Sequence, residues 1–200
     1  MGYLDCRRYS AADGVELVEV EYEPLPVVVD PFKALEKDAP IIRDDKEGQD
    51  SNHIFHWESG DKKGTAQAFK DADVTLKQDI YLPRIHVASI ETCGCVSEFD
   101  SVTGQLTVWM TTQAPHAIRT VLALVAGHVG LQEDKIRVIS PDIGGGFGGK
   151  VPVYPGYVIA IAASVVTGLP IKWIEDRREN LQADSFARDY HMTCEIAADK

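Results

Sequence analysis

The sequence predicts a mixed α/β fold of the α+β kind, with hairpin strands and packed helices sharing one core. Three observations point there. Short apolar runs flank a polar turn at Asp100-Ser-Val-Thr-Gly104, the pattern of an antiparallel hairpin. Apolar residues recur at helical spacing at Ile118, Val121, Leu122 and Val125, and occur on nearly all sides over Tyr154–Thr167. A glycine-rich loop, Gly144-Gly-Gly-Phe-Gly-Gly149, stands between a strand pattern and a helix pattern.

The elements follow in order. Val15, Leu17, Val18, Val20 and Tyr22 nearly alternate with acidic residues, which predicts a half-buried strand ended by Pro24 and Pro26. Asp30–Ser51 is acidic and broken by prolines, so it reads as a surface connection with one short helical turn. Asp61–Ala72 combines helix formers with a leading Asp that can accept from free backbone amides, predicting a short helix. Asp73–Leu82 and Thr92–Phe99 read as strands, the second forming the hairpin with Gln105–Thr112.

Pro115 suits a helix start, and that helix should end near Gly127 or His128. Lys135–Ile139 is a short apolar strand, Tyr154–Thr167 a helix buried on most sides and stopped by Gly168-Leu-Pro170. Ile171–Ile174 is a strand, Asp176–Gln182 a helix capped by its Asp, and Tyr190–Ala197 a final strand without an evident partner.

Composition narrows the function classes. Thirty-one Asp and Glu against twenty Lys and Arg give a net charge of −11, which argues against nucleic acid as a partner. No apolar run is long enough for a membrane span, and Met1–Arg8 lacks the apolar segment of a signal peptide. A cytoplasmic location is the expectation. Cys6, Cys93, Cys95 and Cys194 form neither a disulfide framework nor a zinc spacing. In a strand, Cys93 and Cys95 share one face, where small buried thiols are ordinary.

Five glycines within residues 144–149 free the backbone to take positive φ and bring its amides close to a ligand. Gly144, Gly146 and Gly149 satisfy the spacing of a Rossmann-type dinucleotide fingerprint. The acidic ribose contact expected about twenty residues on is missing, since Glu175 and Asp176 lie further away and follow a strand. Gly144–Lys150 also copies most of a P-loop, but Val151 stands where a hydroxyl must hold magnesium. Anion binding, a dinucleotide module and a structural turn all remain open on the residues alone.

Asp142-Ile-Gly-Gly-Gly-Phe-Gly-Gly-Lys150 resembles the signature loop of the xanthine dehydrogenase, aldehyde oxidase and carbon monoxide dehydrogenase family of molybdenum hydroxylases. The resemblance extends over Glu16–Pro26, Ser51–Trp57, Glu91–Cys95, Leu106–His116, Val153–Tyr157, Lys172–Asn180 and Ser185–Met192, which are similar to large chains of the carbon monoxide dehydrogenase branch. It implies a partial molybdopterin-binding segment. Residues 1–30 would be the tail of a preceding N-terminal hammerhead-like domain, 31–60 a linker, and 61–200 the first part of a molybdopterin-binding domain truncated at its C-terminus.

The implied cofactor is molybdopterin with molybdenum, in the cytosine dinucleotide form. By the same resemblance Gln113 approaches the metal's oxo or dithiolene region, its carboxamide donating a hydrogen bond without adding charge. Gly145, Gly146, Phe147 and Gly148 line the cofactor. Read alone, Gln113 is a solvent-facing strand end and Phe147 a plug anchoring the loop to the core.

Xanthine dehydrogenases carry a substrate-binding glutamate after the loop lysine; Val151 stands there instead, as suits the carbon monoxide branch. The family's base glutamate and its copper-binding cysteine, in an Ala-Tyr-Arg-Cys-Ser-Phe loop, have no counterpart in this chain. No catalytic residue or metal ligand is therefore assigned, and Glu91, the Lys172–Glu179 run, His86, His116 and His191 are read as structural or surface groups.

The implied partners are an iron–sulfur small subunit and a flavin medium subunit. The implied function is the cofactor-holding segment of an oxidoreductase that converts CO to CO2. A catalytically inactive relic or assembly fragment, and a Rossmann-type module that NAD would stabilise, are the alternatives.

Overall fold

A hairpin and two helices laid across it organise the larger part of the chain; the structure, a computed structural model, describes residues 8–43, 45 and 47–200. Cys6 and most of the Met1–Arg8 start thus lie outside the described residues. The chain divides into two compact units, Met1–Val74 with Ala197–Lys200, and Thr75–Ile196.

The first unit contains α1 (Arg8–Glu16), a 3-10 turn at Lys33–Leu35 and α2 (Lys62–Asp71). The strand expected at Val15–Tyr22 does not form: α1 runs through Glu16, and Leu17–Asp30 is irregular. An alternating pattern makes a strand only where a ladder partner and a cover exist, yet Leu17, Val20 and Tyr22 are exposed. The helix α1 was not expected from the sequence either, whereas the later elements of the unit follow expectation. Asp61 caps α2 by accepting from Gly64 N at 2.9 Å. The connection after Asp30 is held by Asn52, whose side chain donates to Ala34 O and Pro40 O and accepts from Ile42 N.

In the second unit, β2 (Gly94–Asp100) and β3 (Gln105–Met110) form the predicted antiparallel hairpin, with Ser97 opposite Val108 and Val96 opposite Trp109. The turn is fixed by Asp100, whose carboxylate accepts from Val102 N at 2.8 Å, and by Gly104, whose φ of 68° favours glycine. From β3 the chain passes through α3 (Pro115–Ala126) into β4 (Ile136–Ile139), which pairs with β3 in parallel. β5 (Ile171–Ile174) adds antiparallel to β2, giving a four-stranded sheet of order β4-β3-β2-β5.

One face of this sheet carries α4 (Pro155–Thr167), against β2 and β5, and α3, against β4. Leu106, Val108 and Met110 of β3 meet Ile118 and Leu122 of α3 and Tyr157, Ala160 and Ile161 of α4 in a single core. Each such large apolar side chain contributes on the order of 2 kcal/mol on burial. The side chain of Val125, expected on the same stripe, lies outside the described set. The opposite sheet face leaves Trp109 and Ile174 exposed.

After β5, α5 (Arg177–Ala183) begins with a capping box: Asp176 accepts from Glu179 N, and the Glu179 side chain accepts from Asp176 N, both at 2.8 Å. The last strand, β6 (Tyr190–Ala198), has a partner after all, pairing with β1 (Val74–Leu82). Lys77–Glu195, Asp79–Thr193 and Tyr81–His191 are in contact, stepping in opposite directions along the two strands as an antiparallel ladder does. The pairing spans more than a hundred residues, beyond the reach of local periodicity. Among the described residues no helix is long and apolar enough to cross a membrane.

Candidate functional site

The segment after β3 and the glycine loop after β4 are joined by backbone and side-chain hydrogen bonds. Gln113 N donates to Lys150 O at 3.0 Å, Thr112 Oγ1 to the same oxygen at 3.2 Å, and Ser140 Oγ to Thr112 O at 2.6 Å. Tyr157 OH, from the buried face of α4, donates to Thr111 O at 3.0 Å. Gln113 is thereby held three residues past the end of β3, beside the loop, with its side chain exposed.

The loop itself is folded around that side chain. Gln113 Oε1 accepts from Gly148 N at 3.0 Å and from Lys150 N at 3.3 Å. A Cβ on Gly146 would stand 2.5 Å from Gln113 Cδ, so only glycine permits this approach. Gly145 and Gly148, at φ of 91° and 92°, make the two bends that a side chain would strain.

The loop amides then divide into two sets. Gly144 N donates to Glu91 Oε2 at 2.6 Å, Gly145 N to Ile143 O, Gly149 N to Gly146 O and Val151 N to Gly148 O. The amides of Gly146 and Phe147, and Gln113 Nε2, are left without a protein acceptor among the described residues. These are three uncharged donors on residues that pack together, a set suited to an electron-rich oxygen or sulfur ligand.

Phe147 is not a core plug. It is 74% exposed, its φ is 50°, and its ring lies against Gly145. A non-glycine residue in that left-handed region costs about 1 kcal/mol, and here the conformation carries a large apolar side chain out of the protein. The bound group that the resemblance implies meets a fitting environment: unused neutral donors, a glycine cradle and an exposed aromatic face. The buried Ser89 hydroxyl, next to Gly145, also has no partner among the described residues.

Two pairings escaped the sequence reading, which gave Glu91 a structural role without naming its partner. Lys150, with 2% of its side chain exposed, places Nζ 2.7 Å from Glu91 Oε2, the oxygen that also accepts from Gly144 N. The ammonium beside Glu91, with the Gly144 amide, holds that carboxyl below the usual range. The partners are 59 residues apart, and no local pattern pairs them. Cys93, Glu175 and Asp184 bring a thiol and two carboxyls together with their ligand-type atoms within 4.8 Å of one another.

In that second cluster Glu175 accepts from Cys93 N at 3.0 Å and Asn180 Nδ2 at 3.2 Å. Burial pushes the Glu175 carboxyl up, and the neighbouring Asp184 carboxyl reinforces the shift. Burial likewise raises the Cys93 thiol to about 12 and Cys95 to about 11, which makes both inert thiols of the core. Cys194 is exposed.

The histidines do not converge. His86 bonds Asn180 O through Nε2 and accepts from Ala88 N, His191 stacks on Tyr81, and His116 is exposed at the start of α3.

Comparison with known proteins adds independent findings. Residues 45–200 match the molybdopterin cofactor-binding domain family. The chain is 56% identical to the carbon monoxide dehydrogenase large chain of Afipia carboxidovorans over 96% of its own length and 25% of that protein. The corresponding chain of Hydrogenophaga pseudoflava is 54% identical, over 96% and 24%. The solved structure of reconstituted CO dehydrogenase from Oligotropha carboxidovorans superposes with a TM-score of 0.85 at 56% identity, covering 96% of this chain and 25% of that one. The chain thus spans about a quarter of the length of these relatives.

Proposed function

Because the chain belongs to the molybdopterin cofactor-binding domain family, we propose that it is a cofactor-holding segment of a molybdenum oxidoreductase of the carbon monoxide dehydrogenase type. The observation that carries the reading is that Gln113 packs against Gly146 while its Nε2 and the amides of Gly146 and Phe147 have no protein acceptor among the described residues. In this reading Gly145, Gly146, Phe147 and Gly148 line the cofactor, and Gln113 donates to an oxygen or sulfur on the metal. The exposed Phe147 ring packs beside the metal and excludes water from it. When bound, molybdopterin supplies a molybdenum centre that accepts two electrons from substrate.

The proposed reaction is the oxidation of CO to CO2, with the electrons passed to iron–sulfur and flavin subunits in the cytoplasm. The cofactor takes the cytosine dinucleotide form. The base and the copper ligand come from outside residues 1–200, so this chain's own contribution is binding and orientation. Residues 1–30 are the tail of a hammerhead-like domain, 31–60 a linker and 61–200 the first part of the cofactor-binding domain. Val151, apolar and half exposed beside the loop, offers no carboxylate for a purine, which favours a small uncharged substrate.

The test is anaerobic titration of the 200-residue chain with molybdopterin released from a purified molybdoenzyme, followed by pterin fluorescence. Saturable binding is expected, and Gly146→Ala should weaken it at least tenfold because its methyl displaces Gln113. Absence of binding by the unsubstituted chain, or a melting temperature raised by NAD instead, would overturn the reading.

A further inference from the structure

We propose that the Glu91–Lys150 ion pair is a positioning device for this site. It locks the glycine loop so that Gln113 presents its side-chain N–H groups, rather than its carbonyl oxygen, to the ligand. The inference rests on the molybdopterin reading of the site.

A carboxamide beside a ligand has two ends, and nothing in Gln113 itself selects the donor end. The selection comes from the loop: Gly148 N and Lys150 N both point at one atom of the amide, and two donors demand that this atom be the oxygen. Nε2 is then left to face outward. The two N–H groups hold their position only while Lys150 stays where it is.

Lys150 has its side chain 2% exposed, and an ammonium in such surroundings is tolerated only when paired. Glu91 is the carboxylate it meets. Glu91 is itself fixed from behind. Arg177 Nη2 donates to Ser89 O at 2.6 Å and Ile90 O at 2.8 Å, and Thr92 Oγ1 donates to Glu175 O at 2.7 Å. The segment before β2 is thus pinned on both sides of Glu91 by the β5–α5 corner. The same Glu91 oxygen accepts from Gly144 N and from Lys150 Nζ, so one carboxylate ties down both ends of the loop. The chain of contacts runs from α5 through Glu91 and Lys150 to the Gln113 amide.

Glu91→Gln removes the charge while keeping the size and the acceptor for Gly144 N. Lys150 is then buried without a counter-charge and leaves its pocket, carrying the 148–150 amides off Gln113. In native-state amide exchange by NMR, Gly148 and Lys150 should lose protection at least tenfold relative to Val108 in the centre of β3. The Gln113 side-chain amide resonances should collapse towards free-rotor values. Glu91→Asp, which keeps the charge, should restore part of both signals.

Equal loss at Val108 would mean that the pair merely stabilises the fold, and unchanged exchange at Gly148 and Lys150 would mean that it holds nothing; either result overturns the proposal. If Glu91→Gln does not fold, Lys150→Met reports the same amides, because the freed Glu91 side chain, 40% exposed, can be solvated. Molybdopterin titration separates the two readings. Failure of the unsubstituted chain to bind overturns the cofactor site while exchange still decides the strut. Binding by Glu91→Gln as tight as by the unsubstituted chain overturns the strut alone.

Discussion

In the proposed site Gln113 carries the donor and Lys150, 37 positions away, bonds and aims its amide. A third residue, Glu175, shows how burial sets chemistry. Its carboxyl is 3% exposed and raised by burial, then by Asp184. A raised carboxyl in the folded state binds its proton more tightly than in the unfolded chain. The stability it contributes is therefore complete below the ordinary carboxylate pKa and is lost as pH rises towards the raised value.

Glu175→Gln removes that loss. Its carbonyl can still accept from Cys93 N and its amide can donate to Asp184. Thermal melts should show the variant melting above the parent at pH 7, with the gain gone near pH 4. A variant destabilised equally at both pH values would contradict the raised Glu175 carboxyl. Gln113 and the glycine loop, as a candidate site, were legible in the sequence, whereas Glu175 and the partner of Glu91 were not. Glu91, Lys150 and Glu175 acquire their roles from partners far along the chain.

Among elements, the hairpin, α3, α4 and α5 follow local rules closely. Asp100 and Gly104 set the turn, Pro155 starts α4, Gly168 at φ of 67° ends it, and the Asp176–Glu179 box starts α5. The Val15–Tyr22 stretch had the alternation of a strand but no ladder to join, and so formed none.

Gly156 marks a contact that periodicity hides. A Cβ there would stand 2.2 Å from Trp173 Cε2, and the Trp173 ring meets Tyr157 edge-on at 5.1 Å. Gly156→Ala should force α4 away from β5 and cost about 2 kcal/mol in urea unfolding. Alanine's better helix propensity, worth about 1 kcal/mol, predicts the opposite sign, so a stabilised variant would show that this packing does not limit α4.

At the scale of the whole molecule, the apolar core belongs entirely to the second unit. The first unit leaves Leu17, Tyr22, Leu25, Phe55 and Trp57 exposed. Stability should be distributed accordingly. Brief digestion with a low-specificity protease is expected to cut first within residues 17–60, leaving a resistant fragment that contains β1 to β6. Mass spectrometry of the early fragments checks this, and first cuts inside the hairpin or α4 would contradict it.

The sequence by itself determined the local elements of the four-stranded sheet and its helices, the glycine loop, Gln113 as a candidate donor and the resemblance to a molybdopterin-binding family. Each of these is written in short spacings: turn residues, caps, 2.0 and 3.6 periodicities, one contiguous motif. Tertiary structure alone decided that β6 pairs with β1, that Val15–Tyr22 stays irregular, which loop amides remain free, and which way Gln113 points. Those outcomes depend on contacts between distant segments, where a buried ammonium must find its carboxylate and a strand its ladder. No local pattern states which distant partner will supply them.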